Sequence, residues 1–149
     1  MIIEEYCPYM LRALELAGFA EQNGDVPIGA VIVLNDTIIA EAFNQVEALN
    51  NPIAHAEILA IMQAIKKVNS SELLNCTLIT TLEPCGMCSG AIANYRVGRV
   101  IFGAYDTQFG CLFSKVNLPQ LMGKPVNIIG GLMEYKCKKM LDDFFTKLR

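Results

Sequence analysis

The 149-residue sequence predicts an α/β protein, a three-layer α/β/α arrangement around a central five-stranded mixed sheet. Three observations carry this expectation. Stretches with apolar residues at helical spacing alternate with apolar runs of strand length. The run from Ile28 to Leu34 is apolar throughout, as expected of a strand covered on both faces. Breakers such as Asn23-Gly24-Asp25 and Asn50-Asn51-Pro52 separate the segments.

In chain order, a first helix is expected over residues 3–22. Ile3, Tyr6, Met10, Leu14 and Ala17 recur at helical spacing, and Pro8 falls in the first turns, where it does least harm. Residues 28–34 and 37–43 form a hairpin about the tight turn Asn35-Asp36. A loop over 45–54 leads to a second helix, 55–68, whose apolar stripe is Ile58, Ile61, Met62 and Ile65. Strand 76–81 follows. Pro84 stands where a helix begins, so the third helix is placed at 85–95. Strand 99–104, an irregular stretch 105–125 with room for one short helix, and a short strand 126–129 lead to a last helix, 132–147. Met133, Cys137, Met140, Leu141, Phe144 and Leu148 line one side of that helix, and charged residues line the other. No repeat, low-complexity stretch or linker interrupts this order, so residues 1–149 read as one domain.

Composition narrows the function classes. With 53% apolar and 18% charged residues the chain is too apolar to be disordered. No apolar run is long enough to span a bilayer, and Met1-Ile2-Ile3-Glu4-Glu5 lacks the basic start of a signal peptide. The expectation is a cytoplasmic protein with no membrane partner. Six cysteines without an export signal do not read as a disulfide framework. Cys7, Cys76, Cys111 and Cys137 read as small buried hydrophobes, and Cys85 and Cys88 as a metal pair. The net charge of −3 divides unevenly, −8 over residues 1–90 and +5 over 91–149. The basic C-terminal part suits an anionic partner, although solvated helix faces would give the same pattern.

The chemistry-bearing residues sit in two short motifs, His55-Ala56-Glu57 and Pro84-Cys85-Gly86-Met87-Cys88, and His55 is the chain's one histidine. Three protein ligands with an open fourth position make a catalytic zinc site. Both motifs open helices, where unpaired N–H groups and the helix dipole favour thiolates. Spacing of i, i+3 puts both sulfurs on one side of the turn. Zinc lowers the pKa of a bound water from near 16 to roughly 7, so a nucleophile is available at neutral pH. Glu57, close by and not needed as a ligand, would move the protons. A structural site would instead close the fourth position, and only Cys76 or Cys111 remains for that.

These motifs resemble those of the bacterial-type tRNA-specific adenosine deaminases, within the zinc cytidine and deoxycytidylate deaminase superfamily. Asp25 to Val31, Asn44, Ala54 to Ile58, Thr81 to Ala91, Phe102-Gly103-Ala104 and Asp142 to Phe145 carry the resemblance. It implies a cytidine deaminase-like fold and a homodimer with one zinc per subunit. The implied reaction converts adenosine to inosine at the wobble position of a tRNA anticodon stem-loop. His55, Cys85 and Cys88 would hold zinc, and Glu57 would shuttle the proton. Asn44 would bond the target nucleotide, Val26, Pro27 and Ile28 would border the base pocket, and Phe145 with nearby basic residues would meet the RNA. Each supporting residue also has a plainer reading: Asn44 as a strand-end cap, Val26 to Ile28 as an ordinary strand start, Phe144 as core. The chain departs from the family pattern at Cys111-Leu112-Phe113, in a short segment 115–125, and after Phe145, where Thr146, Lys147, Leu148 and Arg149 stand. Two other functions remain open, a deaminase of a free guanine- or cytosine-type base or nucleoside, and a non-catalytic zinc-binding partner subunit.

Overall fold

The computed structural model describes residues 2–148, so expectations that touch Met1 or Arg149 lie outside the described residues. The strands are β1 (Gly29–Leu34), β2 (Thr37–Phe43), β3 (Thr77–Leu82), β4 (Arg99–Ala104) and β5 (Asn127–Gly130). They form one mixed sheet in the order β2-β1-β3-β4-β5. Strand β1 runs antiparallel to both β2 and β3, while β3, β4 and β5 are parallel. The hairpin turn has Asn35 and Asp36 both at positive φ, as a two-residue turn between twisted strands requires.

Helices cover both faces. On one, α1 (Cys7–Gln22) and α7 (Glu134–Lys147) pack through Met10, Ala13, Leu16, Cys137 and Leu141 on Val31, Ile79 and Ile101. On the other, α3 (Ala56–Ala64) and α5 (Gly86–Asn94) pack through Ala56, Ala60, Ala64 and Ile92 on Ala30, Ile32, Leu78 and Phe102. Alternation along β1 accounts for the division: Ala30 and Ile32 face α3, Val31 and Val33 face α1. The expected three-layer arrangement is therefore present.

Several details differ from the sequence expectation. Residues 3–6 are a 3-10 turn and α1 proper starts at Cys7, with Pro8 in its first turn. Two short helices occupy stretches expected as loop, α2 (Val46–Leu49) and α4 (Ser70–Leu73), while α6 (Leu118–Leu121) is a short helix of the kind allowed for within 105–125. Asp25 starts α2 by accepting the N–H groups of Glu47 at 2.8 Å and Ala48 at 3.3 Å. A capping box between Asn69 and Glu72 starts α4. The stripe of α3 is also corrected. Ala56, Ala60, Ile61 and Ala64 face the sheet, while Met62 is 50% and Ile65 37% exposed. A helix held close to a sheet puts its small residues inward, and its large ones then point out.

That closeness recurs at Gly29, where a Cβ would fall 1.9 Å from the carbonyl oxygen of Ala13. Gly29→Ala must push α1 off β1, and is expected to cost about 1–3 kcal/mol as overpacking does. A thermal melt checks this: Tm should fall by several degrees, and an unchanged Tm would mean that α1 is not held where it lies.

Candidate active site

His55 is the N-cap of α3, and Cys85 is the N-cap of α5. Each therefore sits half outside its helix and reaches over the helix end. The chain brings the two helix starts together at one end of the strands, because β3, the central strand, delivers Cys85 beside the helix that follows β2. Asn44, just after β2, fixes α3 in place: its Oδ1 accepts the N–H of Ala56 at 2.9 Å. Pro84 fixes α5, its carbonyl accepting the Ser89 hydroxyl at 3.2 Å and the N–H of Cys111 at 2.9 Å.

The three expected ligands converge. His55 Nδ1 lies 3.6 Å from Cys85 Sγ and 3.5 Å from Cys88 Sγ, and all three donor atoms fall within 4.8 Å of one another. Tetrahedral zinc, with bonds of about 2.0–2.1 Å to nitrogen and 2.3 Å to sulfur, separates such donors by roughly 3.5 Å. The donor set therefore fits zinc in both chemistry and spacing. Cys76 and Cys111 are not part of this cluster, so the fourth position is not closed by either.

The electrostatics suit a cation. The Cys85 thiol is held down to about 4 by hydrogen bonding with Cys88 and then His55, against the upward push of burial. The Cys88 thiol is pushed up, first by its bond to Cys85 and then by burial. A dication among these atoms reverses the Cys88 shift, because a coordinated thiol loses its proton. His55 is raised by its bond to Cys85.

Glu57 is 4% exposed, and its Oε1 is buried with no hydrogen-bond partner among the described residues. Loss of solvent pushes its carboxyl up to about 7. A proton carrier working near neutral pH needs such a value. A buried orphan oxygen costs stability and calls for a functional reason.

Glu57, His55 and Cys85 open on a cavity of about 500 Å³, a size suited to a small molecule or a flipped base. Ile28 lines it as expected, together with Gln108, Phe109, Cys111 and Lys115 from the loop after β4. Val26 and the 45% exposed Phe145 line an adjoining groove with Lys138, which shares Leu82, Asp106, Gln108 and Phe109 with the cavity. Pro27 and Asn44 are both buried, and neither contributes to the cavity wall. Phe144 is buried, in line with its place in the core stripe.

Sequence reasoning missed the loop over residues 106–114 and the residue that holds it, Glu83. This carboxylate is 1% exposed and accepts the N–H groups of Asp106, Phe113 and Ser114 at 2.8–3.0 Å, and the Ser114 hydroxyl. Burial pushes its carboxyl up, but these bonds outweigh burial and leave it below the ordinary value. The available signal was a charged residue ending an apolar strand directly before Pro84-Cys85. Cys111 also departs from expectation, since it is half-buried and faces the cavity. All six cysteines are free.

Helix-capping zinc donors beside a buried carboxylate, on a mixed five-stranded sheet with helices on both faces, define a zinc-dependent deaminase. The chain belongs to the family of the cytidine and deoxycytidylate deaminase zinc-binding region, whose model matches residues 3–104. It is 44% identical over 143 residues to the tRNA-specific adenosine deaminase of Bacillus subtilis, covering 95% of this chain and 89% of that one. Among solved structures it is similar to a tRNA:A34 deaminase studied for A-to-I editing at the wobble position of transfer RNA. That match has a TM-score of 0.83 at 36% identity and covers 89% of this chain and 97% of that one. A guanine deaminase from Bacillus subtilis is also similar, with a TM-score of 0.63 at 39% identity over 74% of this chain and 72% of that one.

Proposed function

We propose that this protein hydrolyses adenosine to inosine and ammonia at the wobble position of a tRNA anticodon, as one deaminase domain over residues 1–149. His55, Cys85 and Cys88 hold zinc, one ion per chain. The observation that carries the deaminase reading is the unpartnered, buried Glu57 Oε1 beside that donor set. The substrate follows from the likeness to tRNA-specific adenosine deaminases over nearly the whole chain.

Zinc, when bound, supplies the Lewis acidity that makes a water nucleophilic near neutral pH. Glu57 would take a proton from the attacking water at Oε1. Its raised proton affinity suits it to carry that first proton to the ring nitrogen and then a second, from the newly added hydroxyl, to the leaving amine. Asn44 spends Oδ1 on Ala56, which leaves its NH₂ group, behind the cavity wall, to donate to a target nucleotide that reaches past that wall. Ile28 offers the base an apolar wall. Phe145, at the groove beside the cavity, stacks on a neighbouring base, and Lys138 meets a phosphate.

The likeness to guanine deaminase favours one second reading, deamination of a free purine. Zinc-loaded protein offered an anticodon stem-loop with a wobble adenosine, and in parallel guanine, cytosine and cytidine, separates the two. Inosine in the stem-loop alone is expected. Turnover of guanine alone would move the substrate and keep the zinc chemistry.

The working form is a homodimer in the cytoplasm. Free thiols suit a reducing compartment, and no helix among the described residues is long and apolar enough to cross a membrane. The outward apolar face of α3, with Met62 and Ile65, supports pairing of two chains. The double substitution Met62→Lys and Ile65→Lys is expected to convert a dimer to a monomer in sedimentation. A variant that stays dimeric would place the interface elsewhere.

A further inference from the structure

We infer that Glu83 is a positioning residue. It ties the loop of residues 106–114, which walls the substrate cavity, to the strand end that carries the first cysteine ligand. This rests on the reading of the cavity as the active site.

The links are local and specific. Glu83 Oε1 accepts the N–H of Asp106 at 3.0 Å and the hydroxyl of Ser114, the two ends of the loop. Its Oε2 accepts the N–H groups of Phe113 and Ser114, each at 2.8 Å. One carboxylate thus closes the loop into a ring about itself. Inside the ring, Gly110 packs against it so tightly that a Cβ there would lie 2.3 Å from Glu83 Cδ. A further bond, from the N–H of Cys111 to the Pro84 carbonyl at 2.9 Å, fastens the middle of the loop to the same turn. Asp106 adds rigidity within the loop, its Oδ1 accepting the N–H groups of Gln108 and Phe109 at 3.1 and 3.0 Å. The residues so held, Gln108, Phe109 and Cys111, line the same cavity as Ile28, His55 and Cys85.

Burying a carboxylate is costly unless its lone pairs are filled, and here donors from the loop fill them. Nothing in the core needs a charge at this place. A carboxylate that instead fixes where a substrate-facing wall stands relative to a metal turn has a reason to be buried. Glu83 makes no hydrogen bond or ion pair with His55, Cys85 or Cys88, so its effect on the reaction passes through the loop. Losing it should loosen substrate binding far more than the chemical step.

The test compares Glu83→Gln and the milder Ser114→Ala with the unaltered, zinc-loaded protein. Three readouts are taken: zinc per chain, amide hydrogen exchange, and KM and kcat on whichever substrate the protein turns over. An amide at position 83 turns an acceptor into a donor that faces other donors, so the loop must open. Exchange at residues 106–114 is expected to rise, with zinc content unchanged. KM should rise about tenfold while kcat changes by less than about threefold, as for a misplaced wall. Ser114→Ala should move the same quantities in the same direction by less. Unchanged exchange and unchanged KM in both variants would overturn the inference, as would loss of zinc or of kcat with KM intact. Should Glu83→Gln fail to fold, Ser114→Ala decides alone. Turnover of a free base in place of the stem-loop would overturn the substrate reading only, because exchange at 106–114 and KM on that base still judge Glu83.

Discussion

Glu57→Ala is expected to lose turnover by about a thousandfold or more, while keeping zinc at one ion per chain. The loss is large because Glu57, among the described residues, is the one buried carboxylate in the cavity with an unpartnered oxygen. Glu83 cannot replace it, since both its oxygens are occupied by the loop after β4. Zinc should stay, because the donor set of His55, Cys85 and Cys88 does not include Glu57. Removing a buried, desolvated carboxyl should not harm stability, since its burial is unfavourable in the absence of substrate. Metal analysis, a thermal melt and a single-turnover assay on one preparation check all three points. Full activity in this variant would assign the proton transfer to another group.

The second large effect is expected at a ligand. Cys88→Ser should lower zinc affinity by more than about a hundredfold, given that lost outer contacts alone cost roughly 10–100-fold. Cys88 is fully buried at the start of α5, so serine fits the space but cannot replace a thiolate for zinc. The fold should persist, because the cores on either face of the sheet are built from side chains that are not among the zinc donors. Circular dichroism like that of the unaltered protein, with zinc and turnover both lost, is the expected outcome. A Cys88→Ser variant that still carries one zinc per chain would exclude Cys88 as a ligand. The contrast matters: Glu57→Ala keeps the metal and loses the reaction, whereas Cys88→Ser loses both.

Much of the site was legible in the sequence because its signals are local. His-Ala-Glu and Pro-Cys-Gly-Met-Cys each open a helix, and capping positions are set by the few residues around them. The sheet was legible through the apolar run of β1 and the turn at Asn35-Asp36. What could not be read depends on distance along the chain. Glu83 meets donors 23 to 31 residues away, and no pattern near Glu83 announces them. The inward face of α3 was misjudged because nearly every residue in it is apolar. Periodicity then favours the large side chains, while close packing on β1 and β2 selects the alanines. Asp25 reads as part of a helix stop, yet its carboxylate starts α2 across 22 residues. Cys111 reads as a core thiol because nothing beside it tells that Pro84 pins its backbone to the rim of the cavity.

The most direct measurement runs the reaction in ¹⁸O-labelled water, with zinc-loaded protein and an anticodon stem-loop carrying a wobble adenosine. Mass spectrometry of the digested RNA then reads both product and position. The expected result is inosine at the wobble site alone, carrying one ¹⁸O at C6, and unchanged adenosine with Glu57→Ala. Unchanged adenosine with the unaltered protein, inosine without label, or equal inosine from the Glu57→Ala variant would contradict hydrolytic deamination of tRNA by Glu57 at this zinc site.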